Sequence, residues 1–164
     1  MKKVLESKTK VRFHDCDPYN HLNNSRYIDY IITARGDQLI EHYGFDMYEL
    51  SKKQGLGWVT AQNQISYLSP ALLMEEVIIQ TQLLSFSEKS LLVEGLMWDE
   101  TRSRLKAIMW AKLVHFNIRT QRSQSHSEQL MKLFSSVVNP LPFPCMFEER
   151  VLQVKNGEVE KLGS

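Results

Sequence analysis

"NSRYIDYIITARGDQLIEHYG", residues 24–44, decides the fold. Tyr27, Ile28, Ile31, Ile32 and Leu39 recur at helical spacing, opposite Arg26, Asp29, Thr33 and Asp37. The spacing predicts a helix from Asn24 to about Tyr43, stopped at Gly44, a residue suited to the left-handed turn that ends helices. Its first half is so apolar that most of its circumference there needs covering by other structure. Arg35, Gln38 and His42 interrupt the apolar face in the second half, where an ion pair or a subunit contact is expected.

Upstream, "KTKVRF" (8–13) alternates and reads as a first strand with Val11 and Phe13 on one face. Downstream, four segments read as strands. "GWVTAQNQISYL" (57–68) sets Val59, Ala61, Ile65 and Tyr67 on one face, with "VIIQTQLLSF" (77–86), "SLLVEGLMW" (90–98) and "LKAIMWAKLVHFNI" (105–118) after it. The short polar turns "SEKS" and "DETRSR" between the last three favour antiparallel hairpins over crossovers. One helix cannot cover five strands unless the sheet curves around it. The expected class is therefore α+β, a five-stranded antiparallel sheet wrapped around one long central helix. Residues 1–120 make up that domain, and 121–164 are a helical and extended C-terminal extension packed on the same domain or on a partner subunit. Within the extension, "SHSEQLMKLFSSVV" offers a capping box from Ser125 to Glu128 and a short amphipathic helix. Asn139-Pro140 stops that helix, and the prolines of "NPLPFP" keep the next segment extended.

Composition narrows the function classes. A chain of 164 residues is the size of one domain, and a formal net charge of +1 gives no general attraction to nucleic acid or to an anionic membrane. "MKKVLESKTK" has no apolar core behind its lysines, so a secretory signal is not expected. No stretch approaches ~20 uninterrupted apolar residues, so no membrane span is expected. Cys16 and Cys145 make neither a disulfide framework nor a zinc knuckle, which points to a reducing, cytoplasmic setting.

The chemistry concentrates just before the helix, in "RFHDCDPYNHLNN" (12–24). His14, Asp15, Asp17 and His21 are possible metal ligands, but no second cluster completes a set. As a calcium loop the segment lacks the sixth-position glycine and has Arg26 where the bidentate glutamate belongs. No metal and no other cofactor is expected. Two readings remain open. In one, the aspartates and asparagines are turn and cap chemistry ending in Asn23 as the helix cap. In the other, free amides and the positive end of the helix dipole near Asn24 polarise a carbonyl. Asp17 then attacks it or activates a water, and the His21 imidazole orients or relays a proton.

At this point Val11-Arg12-Phe13-His14-Asp15-Cys16-Asp17-Pro18 resembles the opening of the hotdog-fold acyl-CoA thioesterases related to 4-hydroxybenzoyl-CoA thioesterase. "DCDPYNHLNNSRYIDYI" is also similar to the D-x-D-x-N-x-H-x-N-N-x-x-Y pattern of plant acyl-ACP thioesterases, with Tyr19 at the pattern's asparagine and Asn20 adjacent. "ISYLSPALLMEEVIIQT" is similar to the aromatic-x-x-Pro stretch entering the third strand, with Met74-Glu75 in place of the usual Gly-Asp. The resemblance covers about residues 4–120. It implies hydrolysis of acyl-CoA or acyl-ACP thioesters, with Asp17, His21 and the Asn24 amide catalytic. Tyr27 and Asn23 are substrate-binding candidates. It also implies a homodimer or homotetramer with sites between subunits.

Other residues carry competing readings. Asn63 is a polar group on the apolar stripe of its strand, placed to bind substrate or to satisfy a buried backbone group. His115 continues an apolar face and reads as a hydrogen-bonded core residue. Cys16 lies between two acids that raise its thiol pKa, which argues against a nucleophile there. Arg102, Arg104, Arg119 and Arg122 could meet coenzyme A phosphates, with surface solvation as the plainer use. The alternative function is a non-catalytic hotdog module that binds acyl or CoA groups, for which an acid at position 17 has no purpose. Hydratase chemistry on the same fold would need a histidine-centred helix motif, which is not found.

Overall fold

The computed structural model describes residues 1–157; the last part of the C-terminal extension, 158–164, lies outside the described residues. The helix that organises the chain is α1, Tyr27–Tyr43, entered through a 3-10 turn at Asn24–Arg26. It buries Tyr27, Ile31, Ala34, Gln38 and Leu39, one stripe at helical spacing. Gly44 ends it at φ 63°, its N–H donating to Ile40 O while Phe45 N–H reaches back to Leu39 O.

Around α1 curves an antiparallel sheet in the order β1-β3-β4-β5-β2, formed by β1 (Leu5–Lys10), β2 (Leu56–Tyr67), β3 (Glu76–Phe86), β4 (Ser90–Asp99) and β5 (Leu105–Asn117). A two-residue strand β6, Arg122–Ser123, pairs with the end of β5. The hairpin turns close as their residues suggest: Ser87 N–H donates to Ser90 O, and Asp99 Oδ1 accepts from the Ser103 and Arg104 amides. The helix crosses the sheet at Gly95, where a methyl group on the α-carbon would stand 2.4 Å from Ile31 Cγ2. Glycine in mid-strand is thus the condition for the close approach of α1. Tyr27, Ile31 and Ala34 meet Val77, Ile79, Met97 and Met109 in the main core.

Several expectations need correction. The first strand ends at Lys10; Val11 is buried, but Phe13 belongs to a 3-10 turn (Phe13–Asp15) and is 76% exposed. The single-face reading of β2 fails because Ala61 is the extra residue of a β-bulge between Thr60 and Gln62. Trp58 and Thr60 before the bulge, and Asn63, Ile65 and Tyr67 after it, pair with the inward residues of β5, while Val59 pairs with Val114 on the outer face. Ile32 is 45% exposed, so within one chain the first half of α1 is not covered all round. A second helix α2, Met47–Gln54, capped by Asp46, was not expected.

In the extension, α3 (Glu128–Val137) is capped by Ser127, not by Ser125, whose hydroxyl instead bonds Glu88. Its Leu130, Phe134 and Val137 close one end of the gap between α1 and the sheet, beside Leu83, Leu91 and Val93. A further unexpected helix, α4 (Phe147–Lys155), covers the outer sheet face with Phe147, Val151 and Val154 against Trp110 and Ile108. At its centre Arg150 and Glu94 form a buried bidentate pair (2.7 and 2.8 Å). Gln82 Nε2 and Trp110 Nε1 fill the remaining acceptor positions of the carboxylate.

Candidate active site

The loop from Val11 to Asn23 is laced to the turn before β3. Leu22 N–H donates to Ala71 O, Leu73 N–H to Asn20 O, Met74 N–H to Val11 O and Val11 N–H to Glu75 O. Where the family has Gly-Asp, Met74 takes φ 66° and the Glu75 carboxylate accepts from Leu72 N–H at 2.8 Å. Lys106 Nζ holds the same carboxylate at 2.8 Å and also bonds Pro70 O. These bonds close the turn around the Glu75 carboxylate.

Asp17 sits half-buried in a tight turn. Its Oδ1 accepts from the backbone N–H of Tyr19 (2.9 Å) and of His21 (3.1 Å), and Asn20 completes the turn at φ 60°. Oδ2 accepts from none of the described residues. This is the bland turn chemistry and also a carboxylate fixed at one oxygen with the other open. Asn23 caps the helix start, its Oδ1 accepting from Ser25 N–H (3.0 Å), and its carbonyl takes Arg26 N–H (2.8 Å). Between these, the Asn24 N–H donates to no described residue, while the Asn24 carbonyl accepts from the Tyr67 hydroxyl at 2.9 Å. Asn23 N–H donates to Asp15 O at 2.9 Å, so the loop that carries the Asp17 turn is joined to the segment leading into the uncommitted Asn24 amide, and partial positive charge at a helix start favours an oxyanion.

The remaining candidates fall as follows. The His21 ring stands 6.4 Å from the Tyr19 ring and bonds none of the described residues; only its backbone is joined to Asp17, the N–H donating to Oδ1 and the carbonyl accepting from Asp17 N–H at 2.8 Å. Tyr27 is buried in the main core, packs edge-on to Tyr67 (5.1 Å), and its hydroxyl oxygen accepts from Ala71 N–H. Burial, followed by Glu75, Tyr67 and Asp17, raises its hydroxyl pKa. Asn63 is exposed on the helix side of β2, opposite Ala111. The Cys16 thiol is raised, first by burial and then by Asp17 and Asp15. Arg102 pairs with Glu6, and Arg119 closes the end of α2 on Lys53 O. His115 is buried with Nδ1 against Gly57 O at 2.9 Å.

Asp15, which sequence reasoning treated only as a possible metal ligand, anchors the loop. Its Oδ2 accepts from the Tyr30 hydroxyl at 2.5 Å, and Tyr30 in turn accepts from Arg12 N–H; Arg26 adds a contact at 3.7 Å. No sequence signal marked the pairing, because Asp15 and Tyr30 stand 15 positions apart and meet only when the loop folds onto α1.

One turn further along α1, at Ile31, begins a largely apolar cavity of about 160 Å³ between the helix, the inner sheet face and α3. A wider groove of about 700 Å³ lies on the outer face, lined by Gln80, Trp98, Arg102, Asn139 and Arg150. The inner cavity is the one aligned with the helix that carries the candidate site.

Comparison with known proteins agrees with this architecture. The chain is 25% identical over 134 residues to the long-chain acyl-CoA thioesterase FadM of Escherichia coli, an alignment covering 82% of this chain and 99% of that one. The structure superposes on a DHNA-CoA thioesterase from Staphylococcus aureus with a TM-score of 0.75 at 17% identity, covering 82% and 90% of the two chains. It superposes on a second Staphylococcus aureus protein, solved in complex with CoA, with a TM-score of 0.73 at 17% identity over 88% and 92%. The sheet wrapped on its helix is the hotdog fold of such neighbours. Residues 11–151 match the family model described as the thioesterase-like superfamily, and the chain belongs to that family.

Proposed function

We propose that the protein hydrolyses acyl-CoA thioesters to free acid and thiol in a reducing, cytoplasmic setting. The observation that carries this is the Asp17 carboxylate, held at Oδ1 by two amides, in the loop that leads to the unclaimed Asn24 N–H. The thioester carbonyl oxygen lies against that N–H and the positive helix end, which stabilise the developing oxyanion. Asp17 Oδ2 either takes a proton from a water that attacks the carbonyl carbon, or attacks it directly to give a mixed anhydride that a water then hydrolyses. On either route the C–S bond breaks, the thiolate departs and gains a proton, and water supplies the second oxygen of the acid. His21 supports proton movement at the mouth, and Asn23 and Asn63 border the path to the gap. The names of the FadM and DHNA-CoA relatives support a CoA carrier, and acyl-ACP is the second candidate substrate.

Among the described residues long β2 is a sheet edge with one side unpaired, and its Val59 is exposed. Together with exposed Ile32 on α1, that edge supports a homodimer or homotetramer formed across this side. A thiol-release assay over acyl-CoA and acyl-ACP substrates tests the reading: release of free thiol and acid is expected. No release from any thioester would overturn it and favour a module that only binds acyl or CoA groups.

A further inference from the structure

Helix α1 places a half-buried cation, Arg35, at the apolar gap. Arg35 lines the inner cavity together with Ile31, Leu39, Met109 and Phe134. Its Nη1 donates to Thr81 Oγ1 at 3.0 Å. Thr81 donates in turn to Gln38 Oε1 (2.6 Å), and Gln38 Nε2 to Ser7 Oγ and Ile79 O. These neutral groups fix the guanidinium in place and leave its charge unanswered. Among the described residues no carboxylate forms an ion pair with it, and burial lowers its pKa to about 10, opposed only by Tyr43. A guanidinium has five N–H donors, and this bond uses one. Leucine or methionine would line an apolar cavity without the cost of sheltering a charge, so a cation here calls for an anion.

We infer that the acyl pocket takes acyl groups whose far end bears a carboxylate, received by Arg35. This rests on the thioester reading for the CoA end and names the acyl class. Arg35 lies eleven residues beyond Asn24, which at helical rise places it ~16 Å along the axis, with its side chain leaning back toward the helix start. An extended acyl chain of medium length spans that interval. Its methylenes meet Ile31 and Met109, and its terminal carboxylate meets the donors left open on Arg35. A site built around such a donor discriminates against the analogue that lacks the acceptor, because the guanidinium is then left facing a methyl group.

The test uses two non-hydrolysable thioether analogues of CoA with equal medium-length chains, one ending in carboxylate and one in methyl. Calorimetric Kd values are measured for wild type, Arg35→Leu and Arg35→Lys, and thiol release is followed with the matching thioesters. Wild type is expected to bind the carboxylate-ended analogue ~10–100-fold more tightly, the gain typical of charge-assisted pairing. Arg35→Leu should lose or reverse that preference, and Arg35→Lys should keep part of it. Equal or tighter binding of the methyl-ended analogue by wild type, a comparison that needs no variant, would overturn the inference. So would a preference that survives in Arg35→Leu. A preference in binding with turnover of neither thioester would leave the pocket assignment standing and count against CoA-thioester hydrolysis. Binding of neither analogue would overturn the pocket assignment, while the hydrolase reading stands or falls on the wider thiol-release assay over acyl-CoA and acyl-ACP substrates.

Discussion

Asp15 and Asp17 stand two positions apart and are held in different ways. Asp15 is tied to Tyr30 and Arg26 and fastens the loop to α1, whereas Asp17 is held only at Oδ1 by the turn amides and keeps Oδ2 open. Sequence reading singled out position 17 from its place before the helix start and again by resemblance, but the anchoring by Asp15 depends on a tyrosine brought close only by folding. A second residue-scale feature is the stack of Trp58, His115 and His126, with ring centroids 4.5–5.9 Å apart. Trp58 Nε1–H donates to His126 Nε2, which needs its lone pair, and Nδ1–H of the same ring meets Ser87 O. Burial holds both histidines below their ordinary value, against the opposing pull of Gly57 O and Ser87 O. Above pH ~6.5 both rings are neutral whether the chain is folded or not, so stability from this source is complete. As pH falls through about 6.5, the unfolded chain binds protons that the folded one refuses, and stability declines until the lower folded values are passed. Thermal melts should therefore show Tm falling below that pH, with a shallower fall in His126→Asn. A Tm that rises on acidification to pH ~5.5 would contradict the neutral stack.

At the scale of elements, α1 was legible because its apolar residues repeat over four turns and Gly44 marks its end. The bulge in β2 was not legible, since Ala61 carries none of the glycine signal that often marks one, and every side chain beyond it changes face. Helix α2 was missed because it buries no residue, and α4 because its apolar positions follow a proline-rich run. Two contacts between elements can be tested by substitution. Gly95→Ala puts a methyl group into Ile31 where α1 crosses β4 and should cost ~1–3 kcal/mol in chemical denaturation. An unchanged midpoint would mean that the helix can lift from the sheet freely. Arg150→Met leaves Glu94 charged and buried under α4 with its Arg bonds gone. Loss of one partner from such a pair should cost ~3–5 kcal/mol, read from the same denaturation curves. A loss below ~1 kcal/mol would show that α4 does not seal the outer face. The acid was visible in the sequence as Glu94 amid "LLVEGLMW"; its partner, more than fifty positions away, was not.

For the whole molecule, the architecture followed from one physical constraint, that five strands can share a single helix only by curving around it. Periodicity carries that much. The cation in the gap was visible only as an interruption of a helix face, because its meaning depends on which side chains the sheet brings opposite it. Curvature gives the chain an inner cavity running along the helix entered through Asn24, whose amide is unclaimed among the described residues, and the loop that leads into that helix carries the Asp17 turn. That arrangement is what the proposed chemistry requires of the assembled fold. The most direct measurement is kcat for thiol release by Asp17→Asn beside wild type, with Tm recorded for both. The substitution keeps an oxygen acceptor for the Tyr19 and His21 amides, so Tm should shift by little while kcat falls ~100-fold or more, the loss typical of removing a positioned acid–base group. Equal turnover by the two proteins would contradict the assignment of the reaction to this carboxylate.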